Sequence, residues 1–391
     1  MENEKKPMQP QLRRFLYQKA ARNRVPVSGT FELTPRCNMN CRMCYIRMSE
    51  KEMRARGREY TAQEWISMGR ICREQGMLFL LLTGGEPFLR KDFKEIYTEL
   101  SGMGFVISIN SNGTMIAPET VAWLKENPPS RMNITLYGAS NETYERLCRN
   151  PQGFDQAVRA IDLLLEAGIY VNINATFTPY NVSDMEKIYA FAKGRGLTVT
   201  STSYMFPPVR SAKEGALDET ARFTAREAGA ALFHSKKCWL EPEAFEVFLQ
   251  RMKQGVKPEE DGEECSRTPD EHMGCMAGRS SFWITWDGRM TPCGMMNHPV
   301  ARPFEDGFVP SWNHICDRTA QILLPAECTN CKKRFACMVC GALTIAEGQG
   351  DSTRKPAYLC DMTDAYLALC GQNSASGRLC GDMERTENGK I

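Results

Sequence analysis

The chain has 391 residues, enough for two or three domains and a large core. With 42% hydrophobic and 25% charged residues and a net charge of +2, its composition is that of a soluble globular protein and gives no electrostatic case for nucleic acid or a membrane as partner. No apolar run approaches a bilayer span, and residues 1–24 are polar, without a signal-peptide core. The unusual feature is cysteine. Seventeen residues, an odd number, many in short spacings, point to metal or cluster ligation in a reducing compartment, and so to the cytoplasm.

In chain order, residues 1–27 read as an N-terminal extension. Residues 28–208 then alternate strand-like and helix-like segments. Strands are expected over 29–33, 77–83, 105–110, 132–137, 170–178 and 197–204. Helices are expected over 61–75, 91–101, 118–125, 153–167 and 183–193. Helical crossovers imply a parallel sheet. Six units are too few for an eight-fold barrel, so the fold class is α/β, an open partial (β/α)6 barrel of TIM type. The polar and glycine-rich runs follow the strands: Thr34–Cys37, Gly84–Pro87, Asn110–Gly113, Tyr137–Ser140, Thr178–Asn181 and Phe206–Pro208. Chemistry gathers at that end of such barrels.

Residues 209–262 read as a helical bridge, with helices over 217–233 and 241–253 and a charged linker from Lys257. A small cysteine-rich domain is expected over 263–365, with a hairpin signal at Trp286-Asp287-Gly288-Arg289. Residues 366–391, rich in Gly, Ser, Asn and charge, read as a disordered tail.

Cys37, Cys41 and Cys44 form C-x3-C-x2-C. Cubane iron–sulfur clusters are usually held by four thiolates. Three leave one iron open, which suits an enzyme that binds a substrate or cofactor on the metal, as open catalytic zinc sites do. A zinc site is the alternative for these cysteines. With Gly84-Gly85-Glu86-Pro87 at the end of the next strand, residues 28–208 resemble the radical S-adenosylmethionine (SAM) superfamily.

That resemblance implies a [4Fe–4S] cluster on Cys37, Cys41 and Cys44, with SAM chelating the open iron. One electron cleaves SAM to methionine and a 5′-deoxyadenosyl radical that abstracts a substrate hydrogen. It also implies SAM contacts from Gly84, Gly85, Glu86 and Pro87, the glycines allowing close backbone approach and Glu86 accepting from the ammonium. Ser111 and Asn112 would meet the ribose and carboxylate of SAM, although Asn112-Gly113 is also a common turn. The family usually has an aromatic residue before the third cysteine. Here it is Met43, a flexible apolar side chain that could cover adenine.

Downstream, Cys275 and Cys293 frame Gly288 as C-x12-G-x4-C. Cys328, Cys331, Cys337 and Cys340 form C-x2-C-x5-C-x2-C, followed by Cys360. This resembles the SPASM extension of radical SAM enzymes, one residue short between Cys337 and Cys340. The resemblance implies two auxiliary [4Fe–4S] clusters, three in all. Cys275, Cys293 and Cys340, with Cys265 as candidate fourth ligand, would hold the first, and Cys328, Cys331, Cys337 and Cys360 the second. A zinc ribbon is the alternative. Replacement of Cys360 by Cys370 or Cys380 is an alternative, but two loose tail cysteines read more simply as uninvolved, and Cys72, Cys148, Cys238 and Cys316 as buried or incidental thiols.

Auxiliary clusters can accept a second electron, which favours net oxidation of the substrate. Ile134–Tyr144 resembles a run in peptide-modifying and haem-related members. The expected activity is therefore oxidative modification of a peptide side chain, such as a thioether or carbon–carbon crosslink in a ribosomally made peptide. Alternatives are haem or other cofactor biosynthesis and formylglycine formation in sulfatases. Gly294 stands where the sulfatase-maturing branch typically has an acidic residue, which marks that branch down. The implied partners are a peptide substrate and a low-potential electron donor such as flavodoxin or ferredoxin. About 27 residues before the first strand are too few for a fused leader-recognition domain, so any leader would be read by the core or by a separate protein. No catalytic acid or base is identified.

Overall fold

The computed structural model describes residues 10–207, 219–256 and 272–373. Six parallel strands, β1 (Ser28–Glu32), β2 (Phe79–Thr83), β3 (Val106–Ser111), β4 (Arg131–Thr135), β5 (Val171–Thr176) and β6 (Thr198–Thr202), lie side by side in sequence order. Helices Ala62–Glu74, Phe93–Gly102, Pro118–Glu126, Gly153–Glu166 and Met185–Gly194 make the crossovers. This is the expected partial barrel.

The strands alternate as a sheet with two different faces must. Phe31, Leu80, Leu82, Ile107, Ile109, Met132, Ile134, Val171 and Ile173 point to one face and are buried in the main core with Trp65, Ile96, Leu124 and Leu164 from the helices. The register places polar residues on the other face. Asn110 lies opposite Asn133, Asn133 opposite Asn172, and Asn172 opposite Thr198. The side chains bond along that rung: Asn133 Nδ2 donates to Asn110 Oδ1 at 2.8 Å and Thr198 Oγ1 to Asn172 Oδ1 at 2.7 Å.

The sheet does not stop at six strands. β7 (Ser281–Ile284) pairs parallel with β1, and β8 (Met290–Thr291) pairs antiparallel with β7. The expected hairpin is present, with Gly288 at φ +79°, where only glycine is unstrained. Its attachment to the barrel was not expected. Trp283 Nε1 donates to the buried Glu32 at 2.9 Å and fixes the seam.

Further differences concern helices. The helix expected over 217–233 runs Ala225–Trp239, because Thr224 and Glu227 form a capping box that sets its start. The reading of 366–391 as disordered is corrected as far as Asn373. Helix Ala357–Asn373 is ordered, and Tyr366 and Cys370 are buried in a core with Phe233, Phe248 and Met252. Apolar residues at helical spacing outweigh the polar composition there. Pro10–Arg22, Glu50–Arg56, Asn141–Cys148 and Phe308–Thr319 are helices that the sequence reading did not assign.

Candidate active site

Cys37, Cys41 and Cys44 lie on the loop after β1, at the C-terminal edge of the sheet. Backbone hydrogen bonds pin the loop on two sides. Gly85 N donates to Thr34 O at 2.7 Å and Glu86 N to Arg36 O at 2.8 Å. Asn40 N and Arg42 N donate to the carbonyls of Cys148 and Leu147, at the end of helix Asn141–Cys148. Below, buried Arg90 holds the carbonyls of Leu33 and Tyr60, each at 2.9 Å.

These contacts give the glycines a reason besides the expected one. A Cβ on Gly85 would sit 2.4 Å from Arg36 O, and one on Gly84 2.6 Å from Thr34 O. Both glycines are required for two loop backbones to touch, before any ligand is considered.

Glu86 is fully buried. It accepts from Ser111 Oγ at 3.0 Å, from Asn112 N at 2.8 Å and from Phe88 N at 3.1 Å. Burial nevertheless pushes its carboxyl up to about 7, against these donors. With three protein donors on four acceptor positions, it braces the loops after β2 and β3. Asn112 Nδ2 reaches Cys37 Sγ at 3.6 Å and Asn38 Oδ1 at 2.9 Å, so the Asn110–Gly113 run touches the cysteine loop directly.

Pro87 is buried at the start of the turn after Glu86. Met43, expected to cover an adenine ring, is buried and packs into the main core. Tyr45 lies edge-on to Phe206, with ring centres 5.1 Å apart.

The donor set fits an iron–sulfur cluster. Met39 N and Arg47 N point at Cys37 Sγ and Cys44 Sγ, at 3.4 and 3.3 Å. Such N–H donors stabilise thiolates and tune cluster potentials. Arg47 Nε is buried with no partner, beside cysteines that become anionic on metal binding. Without metal, burial pushes the Cys37 thiol up to about 12, so loading must drive the protons off. The Cys41 thiol is raised mainly by a hydrogen bond with buried Cys148, and then by burial. Sequence spacing gave no sign of Cys148.

The C-terminal cysteines fall into two groups. Cys275, Cys293 and Cys340 pack around one small apolar cluster of Met273, Ala277, Met296 and Ala342. Cys328 is pushed up to about 11 by burial and then by neighbouring Cys360, Cys337 and Cys331. Cys340 packs with Cys275 and Cys293 on that cluster and, like Cys337, also borders the main core. Cys265 and Cys380 lie outside the described residues.

A cysteine triad beside a Gly-Gly-Glu-Pro loop, on the edge of a half-barrel, defines a radical SAM enzyme. The radical SAM superfamily model matches residues 31–192, and those residues are a radical SAM domain that brings a [4Fe–4S] cluster and SAM with it. The whole chain resembles the SPASM-bearing peptide maturases. It is 24% identical over 330 residues to the AdoMet-dependent heme synthase of Oleidesulfovibrio alaskensis, covering 80% of this chain and 81% of that protein. It is 26% identical over 320 residues to the sporulation killing factor maturation protein SkfB of Bacillus subtilis, covering 79% and 69%. Among solved structures, Streptococcus suis SuiB bound to precursor peptide SuiA shares the fold at a TM-score of 0.62, with 15% identity and coverage of 89% of this chain and 80% of that one. No described helix is long and apolar enough to cross a membrane.

Proposed function

We propose that this enzyme oxidatively modifies a side chain of a ribosomally made peptide, forming a thioether or carbon–carbon crosslink. The observation that carries the reading is the polar face of the sheet. Its residues from β1 to β6 include Thr30, Ser108, Asn110, Asn133, Thr135, Asn172, Asn174, Thr176 and Thr200, and Arg131 is the one arginine among them. Amides and hydroxyls suit the donors and acceptors of a peptide backbone. A tetrapyrrole with several carboxylates would call for more cations.

When bound, the cluster and SAM supply the radical that takes a hydrogen atom from the substrate. The chain's own part is to hold them. Cys37, Cys41 and Cys44 ligate iron, Gly84–Pro87 border the methionine end of SAM, and Ser111 and Asn112 are carried beside it by Glu86. Cys275, Cys293 and Cys340 hold one auxiliary cluster, and Cys328, Cys331, Cys337 and Cys360 the other. These would accept the second electron of an oxidation. The likeness to SkfB and SuiB supports a peptide partner. A low-potential flavodoxin or ferredoxin would deliver the first electron, a separate protein could present the leader, and cysteine usage favours the cytoplasm.

The likeness to heme synthases favours a second reading, oxidation of a tetrapyrrole. Anaerobic incubation of reduced enzyme with SAM and Cys-containing precursor peptides from adjoining genes separates the two. Deoxyadenosine formation with loss of two hydrogens from a peptide is expected. Turnover of a tetrapyrrole with every peptide unchanged would overturn the first reading.

A further inference from the structure

Away from the cysteine loop, Glu186 on helix Met185–Gly194 faces His234 and Cys238 on helix Ala225–Trp239. The three ligand atoms lie within 4.8 Å of one another. His234 and Cys238 are four residues apart and so share one helix face. His234 Nε2 lies 3.2 Å from Glu186 Oε1. The three residues border a cavity of about 340 Å³, completed by Tyr189, Lys193 and Lys237. Nothing in the radical SAM reading uses this group.

We propose that Glu186, His234 and Cys238 form a zinc site. One nitrogen, one thiolate and one carboxylate oxygen are the donor types that a borderline divalent ion such as Zn2+ prefers. Three protein ligands leave a fourth position for water, on the cavity side. The nearest cations do not close the site: Lys193 is paired with Glu241 at 2.8 Å, and Lys237 is exposed. Binding expels the Cys238 thiol proton and replaces the His234–Glu186 contact with two bonds to the metal. The ion then clips a barrel crossover helix to the helix that begins the C-terminal half. It stands apart from the iron sites, which are built of cysteine alone.

The test compares anaerobically purified holoenzyme with a His234→Ala/Cys238→Ser variant. Elemental analysis should find about one more zinc per chain in the wild type, with equal iron in both. Zinc-edge X-ray absorption should show one sulfur among nitrogen and oxygen neighbours. Equal zinc in the two proteins, or an all-sulfur shell that marks zinc in an empty cluster site, would overturn the proposal. Should the double variant not fold, Glu186→Gln takes its place. Wild type stripped of zinc should then take it back from a chromophoric chelator at least tenfold more tightly than the variant, and equal affinities would overturn the proposal.

Discussion

The two cysteine regions are assembled in opposite ways. The N-terminal triad is local: three cysteines on one loop, held by backbone bonds to the loop after β2 and to helix Asn141–Cys148. The protein positions these ligands before metal arrives. The C-terminal cysteines come from separate stretches of chain, and Cys275, Cys293 and Cys340 meet around a satellite core of four small or flexible buried side chains. That satellite cluster is small, although Phe282, Ile284, Trp312 and Ile315 anchor the surrounding region in the main core, so metal adds cohesion chiefly where these cysteines meet. One site is braced within a single loop, and the other joins distant stretches of chain.

The sharpest break comes from replacing Cys37, Cys41 and Cys44 with Ala. SAM cleavage should vanish, and iron should fall from about 12 to about 8 atoms per chain, while the auxiliary signals persist in EPR. An unchanged spectrum would sink the assignment. Chelating all iron should act the other way round. Amide exchange over 273–277 and 293–296 should rise at least tenfold while β2 to β5 and helix Phe308–Thr319 stay protected, and uniform protection would show that the satellite cluster holds itself together.

Glu86 tests the pre-organisation electrostatically. Its carboxyl stands at about 7 in the folded chain against an ordinary 4.5. Stability from this group is therefore complete below pH 4.5 and lost as pH rises through about 7. The loss amounts to roughly 3 kcal/mol. Denaturant melts of the cluster-free protein from pH 4.5 to 8 should show this slope, and Glu86→Gln should flatten it. A smaller effect is expected from Gly85→Ala. Its Cβ meets Arg36 O, which should cost about 1–3 kcal/mol even without SAM. A variant destabilised only when SAM is present would return the glycine to a purely ligand-facing role.

The contrast also explains what the sequence made legible. The six strand–helix units were readable because each strand carries its own apolar alternation and each helix its own periodic face. The grouping of Cys340 with Cys275 and Cys293 was available only through family resemblance, since spacing ties it to Cys337. Contacts that join distant segments left no local trace: Cys148 beside Cys41, Asn112 on Cys37, and Arg90 under the cysteine loop. The glycines were visible, but their neighbours were not, so the backbone crossing they permit could not be read beside the expected approach of a cofactor. Four residues, Ser281–Ile284, are too short a run to announce a strand, much less one that joins the barrel.

That last strand bears on how the protein is made. β1 is an interior strand of the finished sheet, yet its outer neighbour, with Trp283 on Glu32, lies 251 residues further along the chain. While the ribosome works through that interval, the strand leading into the cysteine loop has one bare edge, open to pairing with another nascent chain. The backbone bonds that hold the cysteine loop all come from segments made by residue 148. Metal can therefore reach the first site while the sheet beneath it is still unfinished.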